Sequence, residues 1–259
     1  MSENPYASPS TASQSQPISA AEIYRPANGL VLALTVMFVL GIGLDLLSGA
    51  MSLVEATVFS EYVGQEELDE DSRVLGFYIA YGCIGLSTLP VYVATAVLFC
   101  MWVFRANKNA RALGAQAMTF TPGWSVGWFF VPIMNLFRPY QAVREIHQAS
   151  HPNADSLSWK YAPVSAVLGW WWALWIISNI LGQVEFRLAL RGDQEMALAG
   201  AYLGAVTGVL GAITALLAMQ VVRGTHQRQQ LKAERKSPTG DKFAHDHDPG
   251  TVLPPNRDW

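Results

Sequence analysis

The sequence predicts an all-α membrane protein: four transmembrane helices, with a short re-entrant or interfacial segment between the second and third. Three observations predict it. Of 259 residues, 51% are hydrophobic and only 14% charged, against about 25% charged in an ordinary soluble domain. The charges are segregated, leaving four long stretches that each meet the roughly 20 apolar residues a spanning helix needs. The sign of the charge also changes from one connecting segment to the next, which is what orients such helices. The formal net charge of −3 averages over those segments and says little.

Residues 1–28 are expected to be a disordered arm. Met1 to Ser19 is rich in Ser, Pro, Gln and Asn, with too few aliphatic side chains to offset the entropy of ordering. It lacks the basic start and small-residue cleavage site of a signal peptide. Asn4-Pro5-Tyr6 reads as linker in preference to a docking peptide.

The membrane domain is predicted over 29–223. Its first span, Leu30 to Leu53, carries one charge, Asp45, about two turns from the far end by the 3.6-residue period. A carboxylate at that depth is costly unless paired or hydrated. Asp45 reads first as an interfacial group bonded to a neighbouring helix, with ion or proton handling as the alternative. Val54 to Arg73 then carries seven acids and one base. The second span, Phe77 to Phe104, contains Pro90, which frees a carbonyl that neighbours must satisfy. Arg105, Lys108 and Arg111 follow with no acid among them. The acidic loop is therefore expected outside and the basic one in the cytoplasm, with both termini cytoplasmic and the chain multi-pass in the plasma membrane.

Gly123 to Phe137 is short. As a helix its 15 residues would reach about 22 Å, less than the roughly 30 Å hydrocarbon core. With Pro132 inside it and bases on both sides, the segment is expected to enter and leave on the cytoplasmic face. Pro139 to Ser150 alternates apolar and polar residues at helical spacing, predicting an amphipathic helix at the surface. His147 and His151 have the spacing of a metal pair, but nothing completes a site, so they read as solvated.

Ala162 to Gly182 is the third predicted span. Its Trp170, Trp171, Trp172 and Trp175 fall near the middle, not at the interface where tryptophan is usual. Either the boundaries lie elsewhere or the indoles pack inside. Glu185 to Glu195 reads as a short outer loop. The fourth span, Leu198 to Val222, has Gly200, Gly204 and Gly208 four apart with Gly211 behind, a ridge that admits close helix approach. Packing within the chain is expected, and a homo-oligomer through Gly200, Gly204 and Gly208 is the alternative. Residues 224–259 form a basic extension and a tail expected to be disordered. Cys83 and Cys100 share one span and read as buried small hydrophobes.

Two stretches carry a resemblance. Trp102-x-x-Arg105-x-x-x-Asn109 with the Gly114 turn, and Pro122-Gly-Trp124-x-x-Gly-Trp128-Phe-x-x-Pro132-Ile-x-Asn135-Leu-x-x-Pro139, resemble the bacterial membrane family called domain of unknown function 4328. The resemblance covers roughly Leu30 to Arg223. It implies a multi-pass bacterial membrane protein and supplies no activity, ligand or catalytic residues.

No glycine-rich phosphate loop, metal cluster or nucleophile–base arrangement is present. The expectation is a non-catalytic scaffold or regulatory module, with no catalytic residue, cofactor, metal or nucleic-acid partner and the lipid bilayer as its surroundings. The alternative is a small oligomeric transporter or channel, with an intramembrane enzyme last. Any site is expected in a cytoplasmic crevice of Arg105, Asn107, Asn109, Asn135 and Arg138. There, Asn135 would hydrogen-bond backbone opened by Pro132.

Overall fold

The computed structural model describes residues 23–62, 72–190 and 194–236. The Asn4-Pro5-Tyr6 triplet, residues 63–71 of the acidic stretch and the tail after residue 236 lie outside them. Six α-helices are present among the described residues: α1 (Asn28–Tyr62), α2 (Ser72–Ala112), α3 (Pro122–Gly127), α4 (Arg138–Ala149), α5 (Ala166–Ala189) and α6 (Gln194–Arg235). No strand occurs among these residues. Four of the helices, α1, α2, α5 and α6, are long and apolar enough to cross a bilayer.

These helices overrun the apolar stretches that predict them. α1 continues to Tyr62, α5 takes in Glu185, and α6 takes in the basic residues after Val222. Apolarity locates where a helix must be greasy. It does not locate the end, because extending a helix through Glu, Lys, Arg and Gln costs little per residue once a nucleus exists.

Successive long helices are antiparallel. α6 lies between α1 and α5, and α1 lies between α6 and α2. α1 and α6 close on small residues. A Cβ on Gly208 would stand 2.5 Å from the Asp45 carbonyl oxygen and 2.8 Å from Gly49 Cα, and one on Gly49 would stand 3.3 Å from Gly208 Cα. At Gly204 it would meet Ser52 Oγ and Glu185 Oε1, and at Gly200 only Leu188 Cβ at 3.6 Å. The glycine ridge is therefore occupied by the chain's own α1 and α5.

At one end the helices carry a cap made of residues 25–28, the end of α2, α3, α4, the 158–161 turn and the last turns of α6. Both described ends of the chain lie there, with Arg25 bonded to Asn109 and Lys236 to Leu113. An apolar core runs through the cap from Leu34 and Phe38 by Trp102, Val103, Val143 and Ile146 to Trp171 and Val222.

The 122–137 segment is a hairpin. Thr121 caps α3 by accepting the Trp124 N–H, and Pro122 supplies the preset φ of a first helical position. The fold-back centres on Ile133, at φ 66° and ψ −47°, with the Met134 N–H donating to the Pro132 carbonyl at 2.7 Å. That is a classic-type γ-turn, rare and strained for a β-branched residue. Ahead of the fold-back, Phe129 packs edge-on against Phe99 of α2 and Trp172 of α5. The Trp172 indole N–H donates to the Leu136 carbonyl at 2.9 Å.

The position of the tryptophans is now explained on both counts. α5 begins later than the apolar stretch, and Trp171, Trp172 and Trp175 pack inward while Trp170 stays exposed. The two cysteines are not buried: Cys83 is exposed and Cys100 half-buried, both free.

Candidate functional site

The polar residues of the cap stand first, because a buried polar group needs a partner. Asn107 and Asn109 are both buried, on opposite flanks of α2, since two residues turn a helix by about 200°. Asn107 donates to the Phe120 carbonyl at 3.0 Å, and Arg111 bonds both that carbonyl and Asn107 Oδ1. Asn109 accepts from the Arg25 N–H and donates to the Arg25 carbonyl and to Gln229. Gln229 in turn donates to the Ala106 carbonyl and Ser150 Oγ.

Cations close the helix ends. Lys232 donates to the Ala149 carbonyl at 2.8 Å, Arg228 to the His147 carbonyl, and Lys236 to the Leu113 carbonyl at 2.7 Å. Each meets a carbonyl left without an intrahelical partner in a last turn, where positive charge is favoured. Glu145 does the converse. Its carboxylate accepts the main-chain N–H groups of Thr119 (2.6 Å) and Phe120 (3.0 Å), pinning the link between α2 and α3 onto α4.

The five residues of the expected crevice have different partners. Asn107 and Asn109 secure backbone on two sides of α2. Arg105 is half-buried on α2 without a hydrogen-bond partner among the described residues. Arg138 lies over the Trp128 ring at 5.7 Å and donates to Gln141. Asn135 closes the hairpin through its main-chain N–H, which donates to the Val131 carbonyl at 2.9 Å. Its side-chain amide makes no hydrogen bond among the described residues, so the bonding expected of it falls to its backbone.

His147 corrects another expectation. It is 4% exposed, its Nδ1 lies 2.9 Å from Thr225 Oγ1, and its Nε2 has no partner among the described residues. Burial, then the Arg228 guanidinium and His151, push its pKa down to about 4. It is a neutral core histidine. No group of three or more potential metal ligands occurs among the described residues.

A second polar group lies between the long helices, toward the end away from the cap. Ser52 Oγ and Tyr81 OH are 2.6 Å apart, and Thr207 donates to Glu185 at 2.8 Å. Ser52 and Glu185 meet over Gly204, and the Asp45 carboxylate rests on Gly211, where a Cβ would stand 2.8 Å from its Oδ2. Asp45 accepts no hydrogen bond among the described residues.

Some of this escaped the sequence although a signal existed. Glu145 stands three residues after Ala142 and four before Ala149, on the buried face of α4. Thr225, Gln229 and Lys232 continue the inward stripe of Ala218, Val221 and Val222 at helical spacing. Glu185 carried no such signal, because it sat beyond the apparent end of its span.

Residues 66–227 match the model of a protein family described as Domain of unknown function (DUF4328). No curated protein and no solved structure matches the chain.

Proposed function

The chain belongs to the family described as Domain of unknown function (DUF4328), and we propose that it is a multi-pass bacterial plasma-membrane protein acting as a non-catalytic scaffold or regulatory module. One observation carries this. Most of the buried polar side chains of the cap are turned onto the chain's own backbone, as Asn109, Gln229, Lys232 and Glu145 are. Catalytic groups are instead held in reach of a substrate. Four helices cross the bilayer, with the cap, both termini and the basic residues in the cytoplasm and the acidic link outside. The 122–137 hairpin lies in the cytoplasmic leaflet, its Phe129 packed on Phe99 and Trp172. Self-association would use faces other than the occupied glycine ridge.

A second reading, a small proton or cation transporter, is favoured by Asp45 and Glu185 set on the glycines of α6 between apolar helices. One experiment separates the two. Proteoliposomes holding the chain are expected to show no proton or alkali-cation flux above empty vesicles. A flux abolished by Asp45→Asn would overturn the scaffold reading. The topology has its own check. A cysteine at Gln141, in a background lacking Cys83 and Cys100, is expected to react with an impermeant thiol reagent only from the cytoplasmic side. Reaction from outside alone would reverse it.

A further inference from the structure

The hairpin presents apolar side chains that nothing among the described residues covers. Phe130 is 74% exposed, Ile133 70%, and Phe137 and Trp124 more than half. They are not a loose flap. Trp124 and Trp128 lie with ring centroids 4.8 Å apart at a tilt of 35°, Phe129 is wedged between Phe99 and Trp172, and the Leu136 carbonyl is tied to the Trp172 indole. A patch of this kind, rigid and aromatic, marks an interaction surface.

The charge in the surrounding sequence is mostly positive. Between Trp102 and Ser165 stand six Lys and Arg and two acids, Glu145 and Asp155. Glu145 is buried and spent on two main-chain N–H groups. Three of the cations lie over aromatic rings on three different elements: Lys108 over Phe104 at 5.2 Å, Arg138 over Trp128 at 5.7 Å and Lys160 over Trp159 at 5.7 Å. Stacking on a ring holds a cation without cancelling its charge. Arg138 is the most specific of them. One guanidinium nitrogen donates to Gln141, and of its five N–H donors most stay available in the fork that matches a phosphate. It follows directly on Phe137, so its charge lies where the chain leaves the apolar part of the hairpin.

We propose that the hairpin is a binding surface for anionic phospholipid. Phe130, Ile133 and Phe137 enter the acyl region of the leaflet on the cap side, and Arg138, braced on Trp128, takes the headgroup phosphate. This rests on the hairpin lying in the leaflet, which is part of the proposed function. Charge selects the lipid class, because a neutral zwitterionic headgroup offers the same phosphate beside a cation that these bases repel.

The test uses the full chain in nanodiscs of phosphatidylcholine alone or mixed with phosphatidylglycerol, with cysteine only at Ile133, carrying a fluorophore. Quenching by lipids brominated on the acyl chain reads the depth of the tip. Retention of phosphatidylglycerol after exchange into detergent, measured by mass spectrometry, reads the lipid class. The tip is expected to be quenched in both bilayers. Phosphatidylglycerol is expected to be enriched over phosphatidylcholine, and Arg138→Gln to lower the enrichment about fivefold while quenching is unchanged. Arg138→Lys keeps the charge but loses the fork, and is expected to fall between. Unchanged enrichment in Arg138→Gln, with the tip still quenched, would overturn the lipid site and leave the membrane arrangement intact. No quenching in either bilayer would overturn both.

Discussion

Glu145 is the most exposed to test of the cap's single residues, because its carboxylate does one identifiable thing. It accepts two main-chain N–H groups that no other acceptor reaches among the described residues. Glu145→Ala strands both and is expected to cost about 1–3 kcal/mol, whereas Glu145→Gln keeps one acceptor and should cost less. Thermal unfolding in detergent orders the two, and the reverse order would refute the role. His147 makes a prediction with a sign. Its unfolded imidazole takes a proton near the usual value of about 6.5, but the folded one holds off until about 4. Between those values the unfolded state binds more protons, so stability is full above about pH 6.5 and falls as pH drops toward 4. The Arg228 guanidinium facing it, and His151 once protonated, work in the same direction. His147→Gln should flatten that pH dependence by on the order of 2 kcal/mol. Hydrogen exchange of α4 at pH 7 and pH 5 measures it.

At the scale of elements, the contact between α1 and α6 is set by backbone meeting backbone. A methyl on Gly208 would face the Asp45 carbonyl at 2.5 Å and Gly49 Cα at 2.8 Å, neither of which can swing aside. Gly208→Ala is therefore expected to part the two helices and lower the unfolding midpoint. Gly224 lies on the same helix with nothing within 4 Å of its Cβ position. Gly224→Ala should stabilise by up to ~1 kcal/mol through helix propensity. Parallel thermal scans of the two variants decide whether space or propensity governs α6, and equal effects would reject the close contact. The 3.6-residue pattern gave α4 nearly to the residue, 138–149 against an expected 139–150. The glycine ridge was equally visible. Which helix fills it was not, because a row of small residues states that something approaches and not what.

For the whole molecule, the last turns of α6 are expected to hold the cap together. Thr225, Arg228, Gln229, Lys232 and Lys236 bond to α2, α4 and the segment after α2. A chain ending at Val222 would leave the carbonyls of Ala106, Ala149 and Leu113 without those partners. Residues 138–150 are then expected to lose hydrogen-exchange protection, while a chain ending at Lys236 keeps it. Equal protection in the two truncations would show that the cap stands without α6.

The sequence by itself determined the class of the fold, the four long apolar helices, the amphipathic α4 and the family. Each follows from a local pattern: a run of apolar residues, a helical period, a spaced set of Trp, Pro and Asn. Only the tertiary structure decided the rest. It turned Asn107 and Asn109 from crevice candidates into backbone anchors, buried His147, brought Glu185 onto Gly204 beside Ser52, and made residues 223–236 part of the cap. The physical reason is that a polar side chain carries no mark of its partner. A solvated asparagine and one that, like Asn109, satisfies a carbonyl 84 residues away read alike until packing brings that carbonyl to 2.9 Å.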